Sequence, residues 1–420
     1  MKNLFLVINN NIEIIKLISK ELLEDSESHQ LLALDMIRYI PSISFSKLNI
    51  RSELCNLKYF TVDDFPSKNA VDLLLNLNPD IIILPNDTGI SCLAFVEASN
   101  FLKIPSLFIQ PAIIIKSPSS PMQWLRGLLW LGSIKNWKEA YKVYRFLWST
   151  EKRIKGASLA YIYVINNMAN HIHNFFNEGS GGCTNIAVMG DYFKDMFLKK
   201  GVPEDKIHVT GLPKFDLTIN RCFNKSVFLQ KLGLDSNKKV VSLLTDAAVE
   251  HRLWTRNQRI DFIKKIISTF KNLPEIQLII KVHPIEDMTD YIYLAKTMGY
   301  NAIISKEIDL YDVIDSSDAV ISGISTAGLE SLLFNKPLII SNFYKDPEYI
   351  PYISSGVAIG VYHGGDLISA IDMAINDDRV KNRMKFKSKD FIYNYAYLND
   401  GLASKRVAEL ILKSANKPNV

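Results

Sequence analysis

From its first residues the chain alternates short apolar runs with helical patterns. "NLFLVI" is followed by a helical stretch from Asn11 to Leu23, "LKYFTV" by one from Lys68 to Leu77, "DIIIL" by one from Ile90 to Leu102, and then comes "SLFI". Apolar runs with no polar alternation are strands buried on both faces, and helix-length segments between them are right-handed crossovers. A doubly wound parallel-sheet α/β domain is therefore expected. The regularity breaks after Pro118, in a stretch of about residues 118–157 that holds four of the five tryptophans. It resumes with "TNIAVMGDYFKDMFLKKGVPEDKIHVTGLPKFD", a strand, a helix, a loop and a strand, with Gly190 and Asp191 at the strand-to-helix turn.

Beyond Leu217 the pattern starts again. "VFLQKLGL" opens the second half, and "KVVSLLT", "IQLIIKV", "NAIIS", "AVIS" and "PLIIS" read as its strands. The tail from Asp390 to Lys413 reads as helix and, in a two-lobed α/β protein, as a return to the first domain. The expected division is 1–217, with the tryptophan-rich insertion inside it, then 218–390, then a crossover segment 391–420. Length agrees, since 420 residues exceed what one core usually organises.

Composition narrows the class. With 48% hydrophobic and 22% charged residues the chain is ordinary globular material. A net charge of +5 leans toward anionic ligands or a phospholipid surface but is too small for a nucleic-acid footprint, so no nucleic acid is expected as partner. Cys55, Cys92, Cys183 and Cys222 are scattered without a CxxC pair, which fits a reducing cytoplasm and neither a zinc site nor a disulfide framework. The apolar run in "MKNLFLVINNN" is too short for a signal peptide, and no run is long enough to cross a bilayer.

Open parallel sheets bind ligands beyond the carboxyl ends of their strands, so the residues just after each run are the ones to inspect. In "QLIIKVHPIED" the run delivers Lys281 and His283, which share a face at i and i+2, and Pro284 stops it. His283 reads either as a structural donor or as a ligand-facing imidazole. In "SGISTAGLE" the strand runs into Ser322 and Gly323, then Ser325 and Thr326 at the start of a helix, with Glu330 one turn in. Free amides and hydroxyls at such a terminus hold phosphate. The competing reading makes Ser325 or Thr326 a plain N-cap and Glu330 its capping-box partner. Thr245 and Asp246 follow "KVVSLL" in the same way.

"KVHP" at 281–284, "DVIDSSDAVISGISTAGLESLLFNKPLI" at 312–339 and "DGLASKRVAELI" at 400–411 resemble the C-terminal half of GT-B glycosyltransferases, in particular those making surface polysaccharides, capsule and teichoic-acid polymerases included. Residues 186–216 are similar to the segment that closes the N-terminal domain in that group. The resemblance implies two Rossmann-like domains facing across a cleft, the second holding a nucleotide-activated donor. It implies that His283 contacts donor phosphate with Lys281 nearby, that Ser322, Gly323, Ser325 and Thr326 cradle the phosphates with Asp246 alongside, and that Glu330 sits near the ribose. Asp400 and Arg406 would belong to the returning helix, and Gln110, Gly190 and Lys214 to the acceptor side.

UDP-N-acetylglucosamine 2-epimerases share this fold, and "PDIIILPNDTG" resembles their strand ending in an aspartate-threonine pair. The next strand, however, ends "FIQPA", without their acidic signature, and Ser322-Gly323 is followed by "ISTAGLE" rather than paired glutamates. The transferase reading is favoured. In surface-polysaccharide enzymes that resemble "FIQPA" an acidic residue or histidine often follows the glutamine; here Pro111 and Ala112 follow.

Sugar transfer requires fixed donors for the leaving phosphate, which His283, Lys281, Ser325 and Thr326 would supply. It also requires a base for the acceptor hydroxyl, for which Asp87 is the first candidate, with capping of the following helix as its alternative role. Glu97 ranks lower, and His251, Arg252 and Arg256 read as a loop able to meet phosphate or as plain surface. No DxD cluster appears; Asp312, Asp315 and Asp318 fit a solvent-facing helix, so neither a metal nor a cofactor is expected. The expected reaction is transfer of a sugar from a UDP- or CMP-sugar to a glycan or lipid-linked acceptor. The alternatives are an epimerase-like enzyme, a glycerophosphotransferase and an inactive nucleotide-binding subunit. Trp124, Trp130 and Trp137, among basic residues, read either as an interfacial contact with the inner face of an anionic membrane or as an extra helical pair packed on the first domain.

Overall fold

The computed structural model describes residues 4–7, 12–24, 30–35, 57–61, 69–112, 134–173, 182–219, 221–251 and 253–416. The chain divides into two compact units, the first formed by 1–216 with 400–420 and the second by 217–399.

Among the described residues, unit 1 holds a seven-stranded sheet in the order β3-β2-β1-β4-β5-β6-β7, every pairing parallel. Its strands are β1 (Leu4–Val7), β2 (Gln30–Asp35), β3 (Leu57–Thr61), β4 (Ile81–Leu84), β5 (Ser106–Ile109), β6 (Asn185–Val188) and β7 (Ile207–Val209). Strand β2 was not anticipated. The connecting helices are α1 (Ile12–Glu24), α2 (Ala70–Leu77), α3 (Ile90–Leu102), α4 (Ile134–Lys155), α5 (Ala157–His173) and α6 (Asp191–Lys199). Strands β4, β5 and β6 are buried at every residue, as expected of strands covered on both faces. Helix α4 packs on α2 and α3, and α5 packs on α4, so the basic part of the insertion is a helical pair. Trp124 and Trp130, and the side chain of Trp137, lie outside the described residues.

Unit 2 holds a six-stranded parallel sheet among the described residues, ordered β10-β9-β8-β11-β12-β13. The strands are β8 (Lys239–Leu244), β9 (Ile276–Lys281), β10 (Ile303–Ser305), β11 (Ala319–Ser322), β12 (Leu338–Ser341) and the unanticipated β13 (Ile359–Val361). The helices are α7 (Lys225–Lys231), α8 (Arg256–Lys271), α9 (Thr289–Thr297), α10 (Leu310–Ser316), α11 (Thr326–Leu333), α12 (Leu367–Asn376) and α13 (Asp378–Ala396). Helix α8 shows how the layers lock. Thr255 and Gln258 close a capping box at its start, and Phe262, Ile263, Ile266, Ile267 and Phe270 recur on one face to bury against Leu243, Leu278 and Ile280. Each such aliphatic side chain contributes about 1.5–3 kcal/mol on burial.

The expected single helical tail is two helices. Helix α13 ends at Tyr397, which has φ 64°, and α14 (Ala403–Ala415) starts after a short loop. Positive φ at a residue with a Cβ terminates a helix sharply. Helix α14 belongs to unit 1, where Asp216 accepts from the backbone amides of Ala403 (2.9 Å) and Ser404 (2.7 Å). Arg406 joins Asp400 (2.8 Å) to the Thr210 carbonyl (2.7 Å), and Ser414 accepts from Asn185 (3.0 Å).

Candidate functional site

In unit 2 the chain leaves β8 in one direction for β9 and β10, and later builds β11, β12 and β13 in the other. The switch point therefore lies between β8 and β11, where the carboxyl ends of parallel strands open a crevice. Thr245 and Asp246 stand there with a neighbour on each side.

On the β9 side is His283. Its backbone amide donates to Thr245 Oγ1 at 2.8 Å, and the Ile285 amide points at His283 Nδ1 at 3.4 Å. That contact makes Nδ1 the acceptor and assigns the imidazole proton to Nε2, leaving a neutral N–H donor. Burial, aided by the neighbouring His251 and by the Lys281 charge and opposed by Glu286, holds His283 below the ordinary imidazole value. His251, on the turn after β8, lies edge-on to His283 with ring centroids 6.1 Å apart. Arg252 lies outside the described residues. Lys281 is turned to the other neighbour, its ammonium donating to the Lys306 carbonyl beyond β10. This corrects the expectation of a shared face, because the strand ends at Lys281 and His283 already sits in the turn.

On the β11 side is the Ser322–Gly328 loop. Gly323 is packed so closely on Asp246 that a Cβ there would collide with the carboxylate, and a Cβ on Gly328 would meet the Tyr352 ring at 2.9 Å. Only glycine permits either approach. Ser325 is the N-cap of α11, yet its side chain makes no cap hydrogen bond and instead faces Ser322 Oγ at 3.3 Å. The capping-box reading thus fails: the start of α11 is not closed by its own side chain, and Thr326 is its first residue. Helix termini of this kind, with hydroxyls beside them, can in general bind anions. Glu330 departs from expectation. It is buried and accepts from the Tyr311 hydroxyl at 3.1 Å, so no exposed carboxylate is offered to a ribose.

Beneath Thr245 and Asp246 lies a network that the sequence did not reveal. Glu286 is buried and accepts from the Ala247 amide at 2.9 Å and from the Tyr291 hydroxyl. Arg259, also buried, pairs with Glu250 (2.7 Å) and Asp290 (3.2 Å), and Arg256 forms a forked pair with Asp290 (2.6 and 3.1 Å). A cavity of about 20 Å³ remains between Thr245, Asp246, Glu286, Tyr291, Arg259 and Gly323, room for about one water molecule. Burial, together with the charges of Glu286 and Asp346, pushes Asp246 up to about 7. The hint in the sequence was the HxxE spacing: the Glu286 amide closes a turn on the His283 carbonyl at 3.0 Å, which directs Glu286 inward.

Asp312, Asp315 and Asp318 do not simply face solvent as expected, and Asp315 lies 3.8 Å from the Lys336 ammonium. Asp312 is held by Arg221, and Asp318 by Lys225 (3.0 Å), Lys239 (3.3 Å) and the Val240 amide (2.9 Å). Among the described residues no group of three or more His, Cys, Asp or Glu could hold a metal.

Unit 1 arranges its candidates differently. Asp87 is fully buried, close enough to Cys183 that its charge, after burial itself, pushes that thiol up. Its burial is at odds with a base that must reach an acceptor, and the N-cap of α3 is Gly89, whose amide donates to Asn86 Oδ1 at 2.7 Å. Gln110 is also buried. Its amide nitrogen donates to the Ala112 carbonyl at 2.9 Å and its oxygen accepts from the Met189 amide at 3.1 Å, so it ties the end of β5 to the end of β6. Gly190 is the extended N-cap residue of α6, and Lys214 lies half-buried in the 3-10 segment Pro213–Thr218. Glu97 on α3 pairs with Lys155 (3.1 Å) and accepts from Tyr163 (2.6 Å).

Two parallel-sheet α/β domains of this kind define the GT-B fold. A family model for CDP-glycerol:poly(glycerophosphate) glycerophosphotransferase matches residues 184–413. The chain belongs to that family, and with it to the transferases of teichoic-acid type. Among solved structures, the wall teichoic acid polymerase TagF aligns over 99% of this chain and 89% of its own with 13% identity and a TM-score of 0.60. The UDP-GlcNAc 2-epimerase of Neisseria meningitidis, solved with UDP-GlcNAc, aligns over 98% and 100% with 16% identity and a TM-score of 0.55. That of Methanocaldococcus jannaschii aligns over 98% and 99% with 13% identity and a TM-score of 0.55. At these identities the likeness is one of fold. No curated protein sequence is matched.

Proposed function

We propose that the chain transfers an alcohol phosphate of glycerol-phosphate type from a nucleotide diphosphate donor to a hydroxyl of a phosphate-containing surface polymer. The supporting observation is the bracket around Thr245 and Asp246: a neutral His283 Nε2–H on one side, the unclosed start of α11 with Ser322 and Ser325 on the other. Both elements donate hydrogen bonds, and they are separated by the width of two strand spacings, roughly 10 Å, which suits a diphosphate. The family description favours glycerol phosphate over the sugar anticipated from the sequence, and the chemistry asked of the bracket is the same for either.

The acceptor oxygen forms a bond to the transferred phosphorus, the phosphoanhydride bond breaks, and nucleoside monophosphate departs with the electron pair. The acceptor proton passes to solvent. Charge accumulates on the leaving phosphate, where fixed N–H and O–H donors act most strongly because they need no reorganisation. His283, Ser325 and the α11 amides are the donor-binding groups in this reading, with Ser322, Gly323 and Thr326 shaping the loop. Lys281 contributes only long-range positive charge.

The test incubates the purified chain with CDP-glycerol, UDP-GlcNAc or a CMP-sugar, each with a poly(glycerophosphate) primer, and follows release of nucleotide. Primer-dependent CMP release from CDP-glycerol is expected. Transfer from UDP-GlcNAc or the CMP-sugar alone would restore the sugar reading, and a thermal shift with nucleotide but no turnover would mark a binding subunit.

A further inference from the structure

Glu286 sits three residues beyond His283 and is only 2% exposed, so its carboxylate must be satisfied from within the protein. Neutralising Arg259 does not account for it. That guanidinium has nearer acids in Glu250 at 2.7 Å and Asp290 at 3.2 Å, whereas Glu286 stands off at 3.9 Å. The hydrogen bonds of Glu286 run elsewhere: Oε1 accepts from the Ala247 amide at 2.9 Å and Oε2 from the Tyr291 hydroxyl. Ala247 is fully buried with φ 56°, a left-handed conformation that is costly for a residue with a Cβ and persists only where the surroundings impose it. Glu286 supplies the bond to its amide.

The bonds on either side close a circuit around His283. The Glu286 amide donates to the His283 carbonyl at 3.0 Å, and the Glu286 carboxylate takes the Ala247 amide. The His251 amide then donates to the Ala247 carbonyl at 2.8 Å, and the His251 ring lies edge-on to the His283 ring at 6.1 Å. Thr245 adds a second tie by accepting from the His283 amide at 2.8 Å. Within the same turn the Ile285 amide reaches Nδ1 at 3.4 Å, and that contact keeps the imidazole proton on Nε2. We propose, on the reading of His283 as a donor to the leaving phosphate, that Glu286 is a positioning residue: by locking the turn after β9 to the turn after β8, it fixes the direction and the tautomer of the His283 imidazole. Preorganised donors act because they do not reorient as charge develops, so a loosened circuit lowers turnover and spares ground-state binding. The carboxylate serves here as a hydrogen-bond acceptor, and the turn does not require its charge.

The test compares Glu286→Gln, Glu286→Ala and Tyr291→Phe with the wild type in CMP release from CDP-glycerol with the poly(glycerophosphate) primer. Beside it, nitrogen NMR spectra of histidine-labelled protein report the tautomer of His283, whose signals are identified by their loss from His283→Ala. Glu286→Gln keeps an acceptor for the Ala247 amide and should stay within about threefold of wild type. Glu286→Ala should lose roughly tenfold in kcat with KM within about twofold, and its His283 should pass from the single Nε2–H tautomer to an average of both. In the His283→Ala background the same change should cost less than about twofold further, because a positioning residue acts through the group it positions. Tyr291→Phe removes one of the two carboxylate bonds and keeps the buried ring. It should lose about threefold with the same tautomer signature, and it carries the test if Glu286→Ala does not fold. An unchanged His283 tautomer in the Ala and Phe variants, turnover equal to that of an active wild type, full additivity with His283→Ala, or as large a loss from Gln as from Ala would each overturn the proposal. The tautomer signal needs no substrate. A wild type that releases nucleotide from no donor, with variants that still lose the tautomer, refutes the catalytic reading and leaves the positioning of His283 by Glu286 intact.

Discussion

The two units share a winding, yet they treat the residues after their strands in opposite ways. In unit 1 the side chains following β4 and β5, Asp87 and Gln110, are buried, and Gln110 spends both ends of its amide on backbone. In unit 2 the groups following β8, β9 and β11 are supported from below and left with donors to offer: His283 keeps Nε2–H, and α11 begins without a side-chain cap. In the proposed function, the same topology closes one set of strand ends and leaves the other to bind donor phosphate. A strand end becomes a site when its polar groups are held by the layer beneath rather than by each other, as Glu286 holds the turn carrying Asp246 through the Ala247 amide.

The largest effect should come from His283→Ala. Removing one fixed donor to the leaving phosphate costs on the order of a hundredfold in turnover, and His283→Gln, which returns an N–H of similar reach, should recover part of it. Melting temperature should change little, since the ring is only half-buried and its backbone bond to Thr245 survives. Steady-state kinetics with CDP-glycerol, read beside thermal melts, decides this. Unchanged turnover would dissolve the contrast between the units.

Gln110→Ala should do the reverse. It leaves the Met189 amide without its partner at 3.1 Å inside unit 1, at about 1–3 kcal/mol of stability. Nucleotide affinity should stay at the wild-type value. Denaturant unfolding and nucleotide titration of one sample separate the outcomes, and a loss of affinity without a loss of stability would return Gln110 to a ligand-facing role.

The alternation of strands and helices was legible because fully buried parallel strands are written as unbroken apolar runs. Strand β13 was not, since Ile359-Gly360-Val361 is short and its glycine is there to admit Ile353. The helix break at Tyr397 was hidden because the only turn signal, Asn399-Asp400-Gly401, follows a few residues later, and the residue that ends the helix is a tyrosine adopting positive φ. At the site, His283, Asp246 and the Ser322–Thr326 loop were legible because each directly follows an apolar run. The lower layer was not, because its bonds join residues far apart in sequence, such as Glu286 with Ala247 or Arg259 with Asp290. Position along the chain says where a strand ends, but not what holds its last side chain.

The smallest effect, and the sharpest probe of that lower layer, concerns Asp246. Its carboxyl stands against Gly323 with Glu286 and Asp346 near, and burial with those two charges pushes it up to about 7, whereas an unfolded chain would ionise it near the ordinary value of 3.8. Between those values the folded protein keeps a proton that the unfolded chain has lost. Stability from this group is therefore complete below pH 4 and declines as pH rises through 7. Asp246→Asn carries no such proton, so the melting temperature of the wild type should fall relative to the variant between pH 5 and pH 8, by a few degrees on the scale of about 2–4 °C per kcal/mol. The same change should flatten the pH dependence of nucleotide binding, because an ionised Asp246 beside the α11 loop opposes an incoming phosphate and a neutral one does not. Parallel pH profiles for the two proteins would mean that Asp246 is ionised throughout, and that unit 2 closes its central strand end much as unit 1 does.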